Sequence, residues 1–427
     1  MQEITSIISN PLRLKDQLRR FEYPVYGWLS YGIVYSMLFW PLLNSLCIIS
    51  LFLFWLLIPK KTWPQSLERK LILISFLSLY LTYLVGILYT ANFTEGTFRL
   101  QQKLPLLIFP LVYGTSDIVD KKMFRKISTH FLIATTLACF ISVVVKGIKL
   151  ITNHGNVASD SSNLFIFRDS YPYMIGLFCL MSILIAFELI KNSISKRRIL
   201  LITVILFLST FLLLLSIRLV IAAWAVMLII KTYRLLTNKA LRILIAAAIV
   251  ITIVAAIRFI PRLNTQWTEL TTLHNNYIPL DTDSSQGRSW GGGAIRIAIW
   301  QSSKELAARH WPIGLGTGDV QDSLQQAYRD HQFYFASEYN RYNAHNQYLQ
   351  MLLGHGVPGL LSLLCCILLP IIFIKQMTVR ADYLIFLVLF AFVCCTETIL
   401  DINKGIVWFS FFNSIFAFIK PNPKLPK

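Results

Sequence analysis

Charge is what this sequence lacks most. Only 14% of its 427 residues are charged and 55% are hydrophobic, with a mean hydropathy of +0.58. Soluble domains carry roughly a quarter charged residues, so the composition argues against a soluble protein and predicts a polytopic membrane protein. The formal net charge of +19 raises the alternative of a nucleic-acid-binding protein.

The distribution of the positive charge argues against nucleic acid. If the N-terminus lies inside, most Lys and Arg residues fall in the segments that would face the cytoplasm, such as 60–70 and 191–198. An excess of cations on that side is the positive-inside signal of membrane proteins. We therefore expect no nucleic-acid partner. Residues 1–24 are polar and basic, without a cleavable signal-peptide pattern.

Cysteines and internal repeats are also missing where they would matter. The seven cysteines all fall in apolar runs and none lies in the long polar stretch 261–344, which excludes a disulfide framework or zinc spacing there. No internal repeat is evident, and this weighs against transporter folds, many of which have paired halves. A flippase or transporter remains an alternative of another class.

The apolar runs predict an all-α polytopic membrane protein with about twelve transmembrane helices. We divide it into an N-terminal bundle of about nine helices (1–260), one large, partly helical periplasmic loop (261–344) and about three C-terminal helices (345–427). Two regions, 25–58 and 199–230, are expected to form tight hairpins, because their runs are short for a span of about 20 residues. The predicted spans are 25–41, 42–58, 70–89, 104–114, 127–147, 171–190, 199–215, 218–230, 243–260, 346–374, 383–399 and 405–419.

The polar stretch contains a predicted helix from 294 to 310. Arg296 and Trp300 share one face, while Ile299 and Leu306 belong to an apolar stripe. The helix should stop before Pro312, and the glycine-rich turn GLGTG (314–318) follows. This turn lacks the Gly-Lys-Ser/Thr of a P-loop. Gly314 and Gly316 should instead let the backbone approach a ligand or a packed helix closely.

Cations in or beside apolar runs are candidates for function. Arg218 interrupts the run 199–230, and an arginine at membrane depth usually faces a cavity or a partner. Structural anchoring is the alternative. Arg99 and Lys103 are four residues apart, so on a helix they share a face. They could equally be two interfacial cations that reach toward lipid headgroups.

Two further groups complete the set of candidates. His345 and Asn346 lie where the polar stretch meets the next apolar run, and an imidazole there could act as a general base. Glu397 and Asp401 lie four residues apart at the outer end of the run 383–399. Glu397 could be a base or an ion-pair partner of an arginine. Three other features are weaker candidates. Arg168 could hold an anionic ligand or pair with Asp169, and Asp281 and Asp283 form a D-x-D pair that could hold a metal or simply be solvated. His355 is a lone histidine, which is usually an ordinary surface or capping residue.

Several of these residues match a known family. The chain resembles the O-antigen ligase and O-antigen polymerase family of bacterial envelope glycosyltransferases. The matching pieces are SIRLV (216–220), Arg296-x-x-x-Trp300, HWPIGLGTGD (310–319), AHNQYLQMLLGHGVPGLL (344–361) and TETILDINKG (396–405). The chain departs from the family at 216–218, where Ile217 separates a serine and an arginine that are usually adjacent.

The resemblance implies an enzyme of the bacterial inner membrane with its active site facing the periplasm. Members take a glycan from undecaprenyl pyrophosphate and use neither a nucleotide sugar, nor a metal, nor another cofactor. Ligases pass the glycan to lipid A–core, whereas relatives polymerise O-antigen repeats or glycosylate proteins. Metal-dependent oligosaccharyltransferases place a catalytic acid in their first outer loop, but this sequence has no acidic residue between Glu22 and Glu68.

The resemblance also suggests roles for individual residues. The family's essential histidine corresponds to His345, and its essential arginines correspond to Arg218 and Arg296. We expect His345 to be the base, with Glu397 as its rival. The donor pyrophosphate should contact Arg218 and Arg296, helped by Arg99 and Lys103, whereas Asn346, Trp300, Gly314 and Gly316 should support the site. Metal ligands are not expected.

Overall fold

The computed structural model describes residues 11–58, 61–152, 164–167, 171–191, 193–235, 237–260, 263–264 and 292–420. Within these ranges the chain is helical and has no β-strand, which confirms the all-α class. The proposals for Arg168, Asp169, Asp281 and Asp283 lie outside the described residues.

The helices fall into three groups along the chain. Those before the polar stretch are α1 (Pro11–Phe39), α2 (Pro41–Leu57), α3 (Leu67–Gly86), α4 (Phe93–Gln102), α5 (Pro105–Ser116), α6 (Lys121–Thr152), α7 (Pro172–Ile190), α8 (Ser195–Leu215), α9 (Arg218–Leu235) and α10 (Lys239–Phe259). The polar stretch contributes α11 (Gly292–Arg309), α12 (Val320–Asp330) and a π-helical turn (Phe335–Tyr339). The last helices are α13 (Gln347–Ile372), α14 (Arg380–Cys394) and α15 (Asn403–Phe418).

Local sequence explains where these helices begin and break. Pro41, Pro105 and Pro172 occupy the first turns of α2, α5 and α7, where a missing backbone N–H costs nothing. Ser216 ends α8 in the left-handed conformation (φ 58°), and α9 then starts at Arg218. The predicted hairpin over 199–230 is therefore confirmed as two separate helices.

Six helical segments among the described residues are long and apolar enough to cross a membrane. They are Leu67–Tyr89, Lys121–Lys149, Pro172–Ile190, Ser195–Leu215, Lys239–Phe259 and Gln347–Ile372. Each of the twelve predicted spans overlaps a helix, but α5 has only 12 residues. At 1.5 Å per residue α5 extends about 18 Å, less than the roughly 30 Å of a bilayer core. The total of about twelve spans stays a prediction, as do the division into three parts and the periplasmic position of the loop.

The main core surrounds α7 and α15, which are buried along most of their length. A helix that is apolar on all sides belongs inside a bundle. A second, smaller core holds α11, α12 and the segment 333–344 together and continues onto α13 through Leu353. Ile299 and Leu306, the predicted apolar stripe of α11, both belong to it. This second core fixes the polar stretch against the start of α13.

Candidate active site

His345 lies in a tight turn at the start of α13. Its backbone is in the left-handed region (φ 41°), and its N–H donates to Asn343 Oδ1 at 3.0 Å. The indole Nε1 of Trp300 donates to the His345 carbonyl at 3.3 Å. The next residue, Asn346, caps α13, since its Oδ1 accepts from the backbone N–H groups of residues 348 and 349. Trp300 and Asn346 therefore hold the turn that carries His345.

Glu397 lies between His345 and Arg296. Its Oε2 is 3.4 Å from His345 Nδ1, and its Oε1 accepts from Arg296 Nη2 at 2.7 Å. The three side chains are only 12–24% exposed. Sequence analysis assigned Glu397 to the end of a span, but α14 already ends at Cys394. Glu397 thus belongs to the turn between α14 and α15, where its backbone is free to bend toward α11.

Contacts with several neighbouring groups fix the guanidinium of Arg296. Besides Glu397, it donates to the Tyr173 hydroxyl at 3.2 Å and to the carbonyl of Thr396 at 3.4 Å. Burial opposes the charge of Arg296, but the Tyr173 hydroxyl that accepts its hydrogen bond and the carboxylate of Glu397 outweigh this effect and raise its pKa. Arg296 is therefore permanently charged and joins α11 to the 395–398 turn.

A cavity of about 460 Å³ opens beside this group. His345 and Glu397 form part of one wall, and Arg99, Lys103 and Asp401 line it as well. The remaining lining residues are mostly polar: Asn92, Glu95, Thr317, Gly318, Gln321, Asp322, Arg341, Asn343, Gln350, His355, Thr398, and with them Tyr83, Tyr171, Val320 and Ile402. The cavity therefore combines two histidines, four carboxylates and three cations, a polar set suited to a hydroxyl-rich ligand.

Arg99 and Lys103 face this cavity together, as their spacing predicts. Arg99 pairs with Glu95 at 2.6 Å. Lys103 is fully buried and donates to the Leu400 carbonyl and to Asp401 Oδ1, the latter at 2.9 Å. Burial lowers the pKa of Lys103, and the carboxylate of Asp401 acts against this. A buried lysine is not one that reaches toward lipid headgroups, so the interfacial alternative does not describe Lys103.

Arg218 stands at the first position of α9 and is half-buried. Its charge acts on the hydroxyl of Tyr173, as do the charges of Arg296 and Glu397. Arg296 thus contacts the Tyr173 hydroxyl directly, and Arg218, from another part of the chain, influences it electrostatically. Neither arginine is among the residues that line the cavity itself.

The glycine-rich turn packs against α13, which decides between the two expected uses of its glycines. The backbone N–H groups of Leu315 and Gly316 each donate to carbonyls of α13, at 2.8 Å. Gly314 and Gly316 both have positive φ, and a Cβ on Gly314 would lie 2.6 Å from the backbone N of Gly356. Close approach to a helix is therefore their role, and α13 is itself kinked at Gly356 (φ 59°).

Sequence analysis missed several residues that hold this site together. Asn343 Nδ2 donates to Thr398 Oγ1 at 2.6 Å, and Gln347 Oε1 accepts from the N–H of Leu400 at 2.7 Å. These bonds tie the His345 turn to the Glu397 turn. Their only signal in the sequence is that Asn343 and Gln347 flank the Ala-His-Asn motif.

Asp319 fixes the opposite side of the cavity. Its carboxylate accepts from the backbone N–H groups of Ala91 and Asn92, each at 2.7 Å, and from the Thr90 hydroxyl at 2.9 Å. It thereby positions the start of α4, which carries Arg99. Asp319 is the final residue of the motif HWPIGLGTGD, and this position in the motif is the sequence signal that could have identified it as a site residue.

His355 does not join His345. It is buried, and its Nε2 lies 3.2 Å from the Thr317 hydroxyl, which donates to the carbonyl of Tyr83 at 2.6 Å. Both histidines line the cavity, but their ring nitrogens have different neighbours, Glu397 for His345 and Thr317 for His355.

Comparison with known proteins supports the motif assignments. No match is found among curated proteins. Residues 199–364 match the model of a family described as O-antigen ligase. The matched region includes Arg218, Arg296 and His345, whereas Arg99, Lys103 and Glu397 lie outside it. The resemblance is thus confirmed over residues 199–364, which are similar to the O-antigen ligase family.

Proposed function

We propose that this protein is a glycan ligase that transfers a glycan from undecaprenyl pyrophosphate to a sugar hydroxyl of lipid A–core. The reaction takes place at the periplasmic face of the bacterial inner membrane. The observation that carries the proposal is the chain of contacts from Arg296 through Glu397 to His345, on the wall of a polar cavity lined by Arg99 and Lys103. The family match supports a glycosyltransferase with a lipid-linked glycan substrate.

In this proposal His345 is the general base. Its Nδ1 faces Glu397, so its Nε2 is the nitrogen that accepts the proton of the acceptor hydroxyl. The present 3.4 Å separation is longer than a hydrogen bond and shortens when the substrate fills the cavity. Glu397 stabilises the imidazolium that forms, in the way that a buried carboxylate serves the histidine of a catalytic triad.

The cations stabilise the leaving group. As the glycosidic C–O bond breaks, its electron pair goes to the pyrophosphate oxygen, where negative charge accumulates. Guanidinium groups bind phosphate oxygens bidentately and stay charged at all relevant pH values. Arg99 and Lys103 reach the cavity directly. Arg218 and Arg296 do not line the cavity and contribute at longer range, through the positive charge that they place near Tyr173.

A single displacement without a metal follows from these roles. The acceptor oxygen forms the new bond to the anomeric carbon, its proton passes to His345, and undecaprenyl pyrophosphate leaves. Because the attacking oxygen arrives opposite the leaving group, the anomeric configuration inverts. The alternative role for Glu397, direct proton abstraction, receives less support, since its ion pair with Arg296 already engages one carboxylate oxygen.

The test compares purified variants in a transfer assay with lipid-linked donor and lipid A–core acceptor. We expect His345→Ala and Arg296→Ala to lower the rate by at least roughly a hundredfold. His331→Ala is the matched control, since this half-buried histidine pairs with Glu305 away from the cavity. Transfer by His345→Ala at the wild-type rate would remove His345 from the mechanism.

Deletion in the native host separates the ligase from its relatives. A ligase deletion leaves lipid A–core without long-chain glycan while the lipid-linked donor accumulates. A polymerase deletion leaves lipid A–core capped with one repeat. If surface glycolipid is unchanged but a glycosylated protein is lost, the acceptor is a protein.

A further inference from the structure

The turn from α11 to the glycine-rich segment exposes two large apolar side chains. Trp311 is 64% exposed and Ile313 is 60% exposed. Neither belongs to the second core, which holds α11, α12 and the segment 333–344 together. Tyr89, just past the end of α3, reaches this turn, because its hydroxyl donates to the Ile313 carbonyl at 3.1 Å. Exposed apolar side chains that lie together mark an interaction surface.

Contacts with two helices fix the level of this turn. The Tyr89 hydroxyl comes from the end of the candidate span Leu67–Tyr89. From the other side, the N–H of Val357 donates to the Pro312 carbonyl at 2.9 Å, and Val357 belongs to the candidate span Gln347–Ile372. The turn therefore lies level with residues 89 and 357 of two helices that are long and apolar enough to cross a membrane.

Both helices give the same depth for the turn. Lys70 and Leu88 are eighteen residues apart, which is about 27 Å at 1.5 Å per helical residue. Val357 and Lys375 are also eighteen residues apart, so α13 and the short turn after it cover about the same distance. The hydrocarbon core of a bilayer is roughly 30 Å thick. With the two lysines at one edge of the core, the Trp311 turn lies at the other edge.

The two lysines lie at the same end of the bundle. Their neighbours Arg69 and Thr378 both donate to the carbonyl of Ile419, at 2.7 Å and 3.2 Å. Both lysines are exposed, and an exposed ammonium group lies outside the hydrocarbon core or reaches for its edge. The two distances therefore measure the same membrane from the same side.

The side chains of the turn suit the headgroup layer. Indole and phenol rings concentrate at the boundary between membrane and water, and Trp311 and Tyr89 supply one of each. Arg309 and His310, both exposed, come directly before Trp311. A guanidinium group binds phosphate oxygens, which in a bilayer lie just outside the hydrocarbon core. The turn thus combines a cation for the phosphates with apolar surface for the first carbons of the acyl chains.

An apolar groove continues from the turn into the spans. It has a volume of about 250 Å³, and Ile313 lines it together with Leu81, Val85 and Pro358. Leu81 and Val85 are exposed on α3, as lipid-facing side chains of a span are. The apolar surface of α3 therefore extends up to the turn, so that lipid is the neighbour that fits both.

We propose that residues 309–313 are a membrane anchor that inserts Trp311 and Ile313 among the headgroups and first acyl carbons of the bilayer phospholipids. Gly314 and Gly316 follow directly and are held against α13, and Thr317 and Gly318 line the active-site cavity. The anchor therefore fixes the height of this cavity above the hydrocarbon core. This inference does not depend on the proposed transferase reaction.

Fluorescence quenching of the full chain in phosphatidylcholine vesicles tests the proposal. A bimane label on Ile313→Cys should be quenched by phosphatidylcholine brominated near the headgroup end of one acyl chain, and it should be protected from aqueous iodide. Gln326→Cys is the matched control, since Gln326 is exposed on α12 among polar neighbours. Its label should lose fluorescence to iodide and not to the brominated lipid.

The native cysteines require a background measurement. Cys395 is exposed, so both labels are placed in a Cys395→Ser protein, and the signal of that protein without a new cysteine is subtracted. Equal quenching of the two labels by the brominated lipid would overturn the proposal. Protection of the Ile313→Cys label from both lipid and iodide would also overturn it, because another protein or a second copy would then cover the turn.

Trp311→Glu tests the anchor itself. A carboxylate does not stay among acyl chains, so this change should remove most of the lipid quenching of the label at residue 313. Trp311 is exposed and outside the second core, so the variant should fold as the wild type does. Unchanged lipid quenching in Trp311→Glu would show that Trp311 does not hold the turn in the membrane.

Discussion

At the scale of single residues, Glu397 is the side chain on which the candidate site depends. It contacts the proposed base with one carboxylate oxygen and a buried arginine with the other. A carboxylate held by Arg296 cannot swing away from His345 without giving up a charge-assisted hydrogen bond. The ion pair with Arg296 therefore holds the second carboxylate oxygen of Glu397 beside the imidazole of His345.

Replacement of Glu397 by Gln tests this positioning role. The amide keeps the shape of the side chain but loses the negative charge that stabilises a protonated His345. We expect kcat for glycan transfer to fall about a hundredfold or more with little change in KM, since the lost interaction belongs to the transition state. Steady-state kinetics on the purified protein would measure this.

The molecule provides a matched control for that substitution. Glu305 and His331 also form a carboxylate–imidazole pair, at 2.9 Å, but their side chains are more exposed and do not line the cavity. Glu305→Gln should leave kcat unchanged. If Glu397→Gln instead raised KM and left kcat unchanged, Glu397 would bind substrate and would not act through His345.

At the scale of elements, the kink of α13 decides where the active-site cavity can form. Gly356 has a φ of 59°, and the N–H of Val357 donates to the carbonyl of Pro312 at 2.9 Å. A Cβ on Gly356 would lie 1.8 Å from that same carbonyl oxygen. The glycine-rich turn and α13 are thus locked together by backbone contacts that no side chain at Gly356 could accommodate.

Gly356→Ala should accordingly destabilise the protein, by about 3 kcal/mol or more, because both the positive φ and the contact with Pro312 are lost. Gly147→Ala is the control, since Gly147 lies within α6 and a Cβ there meets nothing within 4 Å. That change should be neutral or stabilise by about 0.5–1 kcal/mol. Thermal unfolding in one detergent compares the two, and a Gly356→Ala protein as stable as wild type would contradict the reading of the kink.

The positions of the helices were largely predictable from the sequence. The side-chain contacts between distant helices and turns were not. Apolar runs and capping residues such as Pro172 indicated where helices lie, and the period of α11 identified its buried face. The ends were less certain: polar residues such as those of 11–24 continue α1, since Lys and Arg do not break a helix. The contact of Arg296 with Glu397 joins residues 101 positions apart, and no local pattern encodes such a distance.

At the scale of the whole molecule, charge is used to join helices as well as to form a site. Lys231 of α9 is buried and pairs with Glu188 of α7 at 2.7 Å and with Asp382 of α14 at 2.9 Å. None of these three residues lines the active-site cavity. The cluster therefore links three helices without a direct part in the proposed reaction, and no local sequence pattern indicates that these charges meet.

Lys231→Met should lower the stability of the fold while leaving the chemistry intact. It leaves two carboxylates close together without their shared cation, at a cost of about 2–3 kcal/mol, since the partial exposure of Glu188 moderates the penalty for breaking a buried pair. Lys191→Met removes a largely exposed partner of the same Glu188 and should cost less than about 1 kcal/mol. Thermal unfolding ranks the two variants, and transfer activity per folded molecule should equal the wild-type value in both. If Lys231→Met unfolded like the wild type, the cluster would not hold the helices together; if it lost activity while folded, α7, α9 and α14 would transmit an effect to the site.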